Sequence, residues 1–375
     1  MMVQDNKIKI VQLFDSYSNF YQPYIPPVIE SLKKMNGLKI TVNAFNGKSD
    51  GNVVVFPSYY RRKFKEKLYE LTHRLNHKLN YVEIYFLQKN IDIIHIQHSY
   101  LFPKVLGLLS LEKNKRPKII ISLSGGDTYV KPWVQKKWAD FYSNYGNKVD
   151  AFITMSEHQK KYLNTKWGID NAKIHVIPIS FGPRFNNTPK KPTTTKIKIV
   201  SVFRMCWEKN IDGNLRVIKH IKESGISVQY DIYGSGKEIG QFYYLVDKYG
   251  IQECVNLIGE IENNKLKKRI RDYDFILQLS HSESLGMSVI EAQSIGVPAI
   301  VSNAGGLPEI VDHKKTGFVV ESYEIEHAAK MMIKLWTKAD QYIEFSRNAI
   351  LRSQDLFNIE NEVRSLITLY KDVNK

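Results

Sequence analysis

At 375 residues, the chain exceeds what one hydrophobic core usually organises, so two domains are expected. Its 43% apolar and 25% charged residues are those of an ordinary globular protein, and no run of about 18 apolar residues marks a membrane span. The 54 Lys and Arg against 38 Asp and Glu leave a formal net charge of +16, which points to an anionic partner.

That charge is one-sided. Residues 1–190 carry 29 Lys and Arg against 14 Asp and Glu, or +15, while residues 191–375 carry 25 against 24, or +1. A field of this kind suits a membrane surface or a polyanion. The two cysteines, Cys206 and Cys254, show no metal-ligand spacing. They indicate a reducing compartment, with two buried thiols as the plain reading.

The N-terminal MMVQDNKIKIVQLF lacks the apolar core and cleavage site of a signal peptide, and Lys7–Leu13 reads as a strand. The aromatic-rich loop Phe14–Pro27 follows, then a helix at Val28–Met35. In this loop Ser16, Tyr17 and Asn19 either line a ligand cleft or belong to a packed aromatic loop. Over Tyr59–Gln88, Leu68, Leu71, Leu75, Leu79 and Val82 recur at helical spacing among Arg61, Arg62, Lys63, Lys65, Lys67, Arg74 and Lys78. This predicts a basic amphipathic helix. Its leucines are expected to pack on the sheet, and its basic residues, within 59–78, to face an anionic membrane surface.

Asp92–Gln97 is a buried strand ending at His98, which either touches substrate or is a hydrogen-bonded structural histidine. Strand Lys118–Leu123 runs into Ser124-Gly125-Gly126-Asp127, where Asp127 is either a ligand contact or a cap of the next turn. Strands at Asp150–Met155 and Lys173–Pro178 complete the first half. TPKKPTTT, residues 188–195, has two prolines and no periodicity, and reads as an interdomain linker.

The second half alternates strand and helix: Ile197–Phe203, Leu215–Glu223, Val228–Tyr233, Glu238–Tyr249, Val255–Ile258, Asn263–Arg271 and Phe275–Leu279. That is the pattern of a doubly wound parallel sheet. Gly234-Ser235-Gly236 is a turn. Arg204 and Lys209 follow the first of these strands; such a pair alone is usually solvated, but at a strand's carboxyl end it can also grip a diphosphate. After Phe275–Leu279 come a polar glycine-containing loop, Ser280–Gly286, a helix from Met287 to Ile295, a strand at Pro298–Ser302 and the Gly305-Gly306 loop. Ligands in such sheets gather at the carboxyl ends of strands, and a helix start offers free N–H groups to phosphate. Glu283 and Glu291 bracket that start; in a continuous helix they would stand roughly 12 Å apart.

The ordered set Ser280, Glu283, Gly286, Glu291, Ala292, Gly296, Pro298, Gly305, Gly306, Pro308 and Glu309 resembles the donor site of retaining GT-B glycosyltransferases of family 4, glycosyl transferases group 1. Their pattern runs P-S-x-x-E-G-F-G-L, E-A, G-x-P and G-G-x-P-E. Leu279 stands in place of the proline and Ser284 in place of a glycine. RMCWEKN resembles the family's G-R-x-x-x-x-K-G, with Phe203 and Asn210 at its glycines. Ser124 replaces the histidine of H-G-x-D, and the loop after the first strand lacks the Gly-Gly pair.

The resemblance implies two Rossmann-like doubly wound α/β domains facing across a cleft. It places an acceptor-binding domain at 1–187, a linker at 188–195, a nucleotide-sugar domain at 196–355 and a closing helix at 356–375 crossing back to the first domain. It implies retaining, metal-independent transfer of a sugar from a UDP- or GDP-sugar to a glycan or lipid-linked acceptor, in cell-surface polysaccharide or glycoconjugate synthesis. No other cofactor is implied. Arg204, Lys209 and Glu283 would serve catalysis. Donor contacts would come from Glu291 on the ribose, from Ser284, Leu285, Gly286, Met287 and Ser288, and from Gly259, Glu260 and Ile261 near the base. Ser16, His98, Gly125 and Asp127 are the acceptor-side candidates. The expected location is cytoplasmic, on the inner face of the membrane. A nucleotide-sugar epimerase or hydrolase is the alternative within the fold. A basic nucleic-acid-binding protein is the alternative from another class, opposed by the near-neutral second half.

Overall fold

The computed structural model describes residues 7–17, 22–49, 53–72, 79–182 and 187–375. They form two compact units, Met1–Pro178 with Glu362–Lys375, and Ile179–Asn361.

The first unit is built on β1 (Ile8–Ser16), β2 (Leu38–Asn46), β3 (Val53–Val55), β4 (Ile93–Ile96), β5 (Lys118–Ser122), β6 (Ala151–Thr154) and β7 (Ile174–Val176). They lie in the order β3-β2-β1-β4-β5-β6-β7, every pairing parallel. Helices on both faces explain why β4 and β6 are buried along their whole length. The helix expected from Val28 starts earlier and spans Ile25–Lys33, because Pro26 and Pro27 fit its first turn, where no intrahelical donor is needed.

Polar side chains cross this core. Gln12 donates to the Tyr370 hydroxyl at 2.9 Å, that hydroxyl lies 2.7 Å from His95 Nδ1, and His95 Nε2 lies 2.8 Å from Ser122 Oγ. Gln97 donates to Gln12 Oε1 at 2.8 Å. Burial lowers the His95 pKa to about 3, so the imidazole in this network is neutral. Tyr370 belongs to the helix Ile359–Asn374, whose residues from Glu362 onward are part of this unit.

The second unit contains β8 (Ile197–Val202), β9 (Val228–Tyr233), β10 (Val255–Gly259), β11 (Phe275–Gln278), β12 (Ala299–Ser302) and β13 (Gly317–Val320). The order β10-β9-β8-β11-β12-β13, again all parallel, repeats that of the first six strands of the other sheet. In each sheet the order reverses beside the first strand, between β1 and β4 and between β8 and β11. Such a switch point opens a crevice at the carboxyl ends.

Two expectations are corrected. Residues 188–195 lie inside the second unit and are bound into it. The Lys190 ammonium pairs with the buried Asp274 at 3.0 Å, and Asp274 also accepts the Thr193 N–H at 2.8 Å. The prolines break periodicity without freeing the segment. The single helix expected over Tyr59–Gln88 is two helices, Tyr59–Thr72 and Tyr81–Gln88. Asn80 starts the second with a reciprocal cap shared with Glu83. Leu79 and Val82 are buried, but Leu68 and Leu71, expected to pack on the sheet, are exposed. Leu75, Arg74 and Lys78, like Asn19, lie outside the described residues.

Candidate functional site

The loops after β8, β11 and β12 meet at one edge of the second sheet. The loop after β8 holds Arg204 and Lys209, and its Glu208 carbonyl accepts the His281 N–H at 2.7 Å, which ties it to the loop after β11. Asn210 sits in the left-handed region with φ +49 and caps the helix Ile211–Glu223 by accepting the Gly213 N–H at 3.0 Å. Asparagine tolerates that conformation, so it does the work of the family's glycine here. Phe203, at the other glycine position, is buried in the core.

Lys209 and Glu283 are joined as an ion pair, with side chains 15% and 13% exposed. Gln278, the last residue of β11, donates to the same Glu283 oxygen at 2.6 Å and accepts from Ser288 Oγ at 3.0 Å. Lys209, Glu283, Gln278 and Ser288 thus form one connected row. The glycines behind it have steric reasons. A Cβ on Gly305, at φ +57, would stand 1.7 Å from the Glu283 carbonyl oxygen, and the Gly306 N–H donates to that oxygen at 3.1 Å. Gly286, at φ +106, opens the helix Met287–Ser294 where a Cβ would strike Leu307 at 2.7 Å. The loop can therefore hold Glu283 in place only with glycine at these positions.

At the other end of the row, Glu291 is 7% exposed, accepts Asn263 Nδ2 at 2.7 Å and has Lys267 at 3.9 Å. Burial raises its carboxyl above the usual range, and Lys267 and Asn263 oppose that shift. Asn263 begins the helix after Gly259-Glu260-Ile261, so this loop and Glu291 belong to the same neighbourhood. Ser235 Oγ donates to Glu260 at 2.5 Å, and the Gly234 N–H donates to the Gly259 carbonyl at 2.9 Å. Ser284 and Met287 are half-buried, and Leu285 is buried. Arg204 is exposed and makes no ion pair among the described residues. The Cys206 thiol is pushed up to about 11, first by burial and then by Glu208, so it is not a thiolate nucleophile.

In the first unit the candidates at strand ends are taken up within the fold. Asp127 is buried. It accepts from Ser99 Oγ at 2.5 Å, from the Ser124 N–H at 2.9 Å and from the Gly125 N–H at 2.9 Å; it lies within the short helix Gly126–Tyr129, whose N-cap is Gly125, so it ties down the preceding loop and is not itself the cap. Gly125 itself is at φ +109. His98 accepts the Asp15 N–H on Nδ1 at 3.1 Å, and its Nε2 lies 2.9 Å from Gln22 Oε1. Burial lowers its pKa, which fits a neutral, structural imidazole. Ser16 closes β1 and is half-buried.

Sequence reasoning missed Gln278 and Asn263. Gln278 sat at the end of an apolar run and was absorbed into it. A polar residue closing the strand next to the switch point was the signal available.

Residues 37–179 match Glycosyltransferase Family 4, and residues 184–352 match Glycosyl transferases group 1. The chain belongs to the family 4 glycosyltransferases of GT-B fold. It is 26% identical over 178 residues to the phosphatidylinositol N-acetylglucosaminyltransferase GPI3 subunit of Saccharomyces cerevisiae, a match of 46% of this chain and 38% of that protein. The crystal structure of a glycosyltransferase from Rickettsia africae has a TM-score of 0.72 at 18% identity, covering 99% of both chains. The crystal structure of Anabaena Alr3699/HepE in complex with UDP has a TM-score of 0.76 at 15% identity, covering 97% of this chain and 100% of that one. At these identities the structures speak for the fold alone.

Proposed function

We propose that this chain is a retaining, metal-independent glycosyltransferase. It moves a sugar from a UDP- or GDP-sugar to a glycan or lipid-linked acceptor in surface polysaccharide or glycoconjugate synthesis. The observation that carries this reading is the Lys209–Glu283 ion pair. It is assembled from two strand ends at the switch point of the second sheet, beside an exposed Arg204 and a glycine-opened helix start.

Arg204 and Lys209 grip the diphosphate and supply the positive charge that a divalent ion would otherwise bring. The N–H groups of Gly286, Met287 and Ser288 face its oxygens at the helix start. Glu291 accepts from the ribose, and Gly259, Glu260 and Ile261 border the base. Glu283 accepts from the transferred sugar, and Gln278 and Lys209 hold it in place. In the reaction the anomeric C–O bond to phosphate breaks and its electron pair stays on the phosphate oxygen. The acceptor hydroxyl attacks from the same face and passes its proton to that oxygen. Arg204 and Lys209 stabilise the growing negative charge. Asp127 and His98 hold the loops of the acceptor side, while Ser16 stays a candidate for direct contact.

The basic first half docks on the inner face of an anionic membrane, which brings the enzyme to a lipid-linked acceptor. The phosphatidylinositol acceptor in the yeast relative's name supports that choice, and the UDP in the Anabaena complex supports the donor class. The test is a panel of UDP- and GDP-sugars incubated with glycan and lipid-linked acceptors, the product's anomeric configuration being read by NMR. Transfer with retention is expected. Release of free sugar alone, or an epimerised nucleotide sugar, would replace the transferase reading.

A further inference from the structure

The helix Tyr59–Thr72 faces the opposite way from most surface helices. At about 100° per residue, Tyr60, Phe64, Leu68 and Leu71 share one stripe. Those four side chains are 84%, 71%, 53% and 78% exposed, and no residue of the helix is buried. The polar side is the one turned to the protein. The Arg62 guanidinium lies 5.1 Å from the centre of the Phe45 ring, Lys65 lies 5.5 Å from that of Tyr81, and Glu66 accepts the Tyr81 N–H at 2.9 Å. Lys63 and Lys67 flank the apolar stripe on one side and Arg61 on the other. Among the described residues, nothing covers it.

A contiguous row of large apolar side chains facing water marks an interaction surface. Its occupant is set by charge. The cations flanking the stripe continue the +15 of residues 1–190, which suits an anionic layer with an apolar interior. Among the described residues no helix is long and apolar enough to cross a membrane, so this one would lie in the interface plane.

We propose that Tyr60, Phe64, Leu68 and Leu71 insert into the headgroup boundary of an anionic bilayer, with Arg61, Lys63 and Lys67 reaching back to lipid phosphates. The proposal rests on the membrane-docking reading given above and changes its physics. Insertion depth for such helices is about 5–10 Å, and the stems of Lys and Arg cover apolar surface while their charges stay at the phosphates. The Glu66–Tyr81 and Arg62–Phe45 contacts fix the roll of the helix, so the apolar side faces out before any lipid is met. Attraction between charges is screened when the Debye length falls to about 3 Å at 1 M salt, whereas apolar burial is not. Docking therefore has a part that survives salt.

The test uses the full chain and flotation with vesicles of equal phosphatidylglycerol and phosphatidylcholine, at low salt and at about 1 M salt. Two variants are compared with wild type: Phe64→Gln/Leu68→Gln/Leu71→Gln, and Arg61→Gln/Lys63→Gln/Lys67→Gln. Glutamine keeps helix propensity and the stripe supports no core, so melting temperatures should stay near wild type. Wild type is expected to float in both salts. The stripe variant should partition about tenfold or more weaker at low salt and be released entirely at high salt. The charge variant should lose low-salt binding and keep the salt-resistant fraction. If wild type floats but salt releases it completely, and the stripe variant behaves the same way, insertion is wrong while electrostatic docking stands. If wild type never floats, both readings fail. Light scattering that shows a dimer converted to monomer by the stripe variant would make the stripe a self-association face and overturn the proposal.

Discussion

The two sheets share one strand order, yet they treat the polar residues at their carboxyl edges in opposite ways. In the first unit, Asp127 is saturated by Ser99, Ser124 and Gly125, and both ring nitrogens of His98 are engaged. In the second, Lys209 and Glu283 hold mainly each other, and Arg204 has no ionic partner among the described residues. A carboxylate surrounded by backbone N–H groups spends its acceptor capacity on the fold. An exposed cation without a carboxylate partner keeps its capacity for a ligand. The same scaffold therefore carries one edge whose polar groups are spent on the fold and one edge that we propose is reactive, and the loop residues make the difference.

Arg204→Ala should have the largest effect, lowering transfer by roughly 10²–10³-fold with little change in melting temperature, since it loses an interaction with charge that grows in the transition state. Turnover close to wild type in the purified variant would remove Arg204 from the mechanism. Next, the two glutamates should separate. Glu291→Ala should weaken UDP or GDP binding by about tenfold, the worth of one good hydrogen bond to ribose. Glu283→Gln should leave that affinity nearly intact and depress transfer instead. Calorimetry and initial rates giving the reverse split would exchange their assignments.

On the structural edge the expectation inverts. Asp127→Asn places an amide hydrogen against the Ser124 or Gly125 N–H, and should lower stability by about 1–3 kcal/mol while donor affinity stays unchanged. Denaturant unfolding and a UDP titration on the same sample test both halves of that statement.

The smallest net effect expected of the wild type is one of pH, because two opposing slopes nearly cancel. Burial lowers His95 to about 3, so it is neutral in the fold but titrates near 6.5 when unfolded. Between those values the unfolded chain binds more protons, and stability rises with pH by about 1.4 kcal/mol per unit. Glu83 is raised by burial to about 7 from its ordinary 4.5, so the folded chain holds more protons in that window and stability falls as pH rises. The two slopes oppose each other between 4.5 and 6.5. Glu83→Gln should expose the His95 slope, and urea unfolding across that pH range would show it. A flat profile in the variant would contradict the buried neutral imidazole.

Much of this was legible in the sequence. Alternating apolar runs and glycine loops placed both sheets, because parallel strands buried on both faces read as continuous Ile and Val. Glu283, Glu291, Arg204 and Lys209 could be named as candidates from their ordered spacing, and the structure brings Lys209 and Glu283 together. Other features were not, for identifiable reasons. Periodicity divides a helix into faces but does not say which face turns inward, so the exposed leucines of Tyr59–Thr72 were assigned to packing. Whether Asp127 meets ligand or backbone depends on Ser99, 28 positions away. Lys190 and Thr193 bind a carboxylate more than 80 positions further on, which no local composition shows.

The central claim is that the second unit holds a nucleoside diphosphate at Lys209, with Glu283 as its resting partner. Titration of UDP and GDP into wild type, Lys209→Ala and Lys209→Ala/Glu283→Gln tests it most directly. Removing Lys209 alone leaves the Glu283 carboxylate near the phosphates, so affinity should fall by at least about tenfold, and the second substitution should restore part of it by removing the repulsion. Wild-type affinity in Lys209→Ala, or no binding of either nucleotide to wild type, would contradict the account.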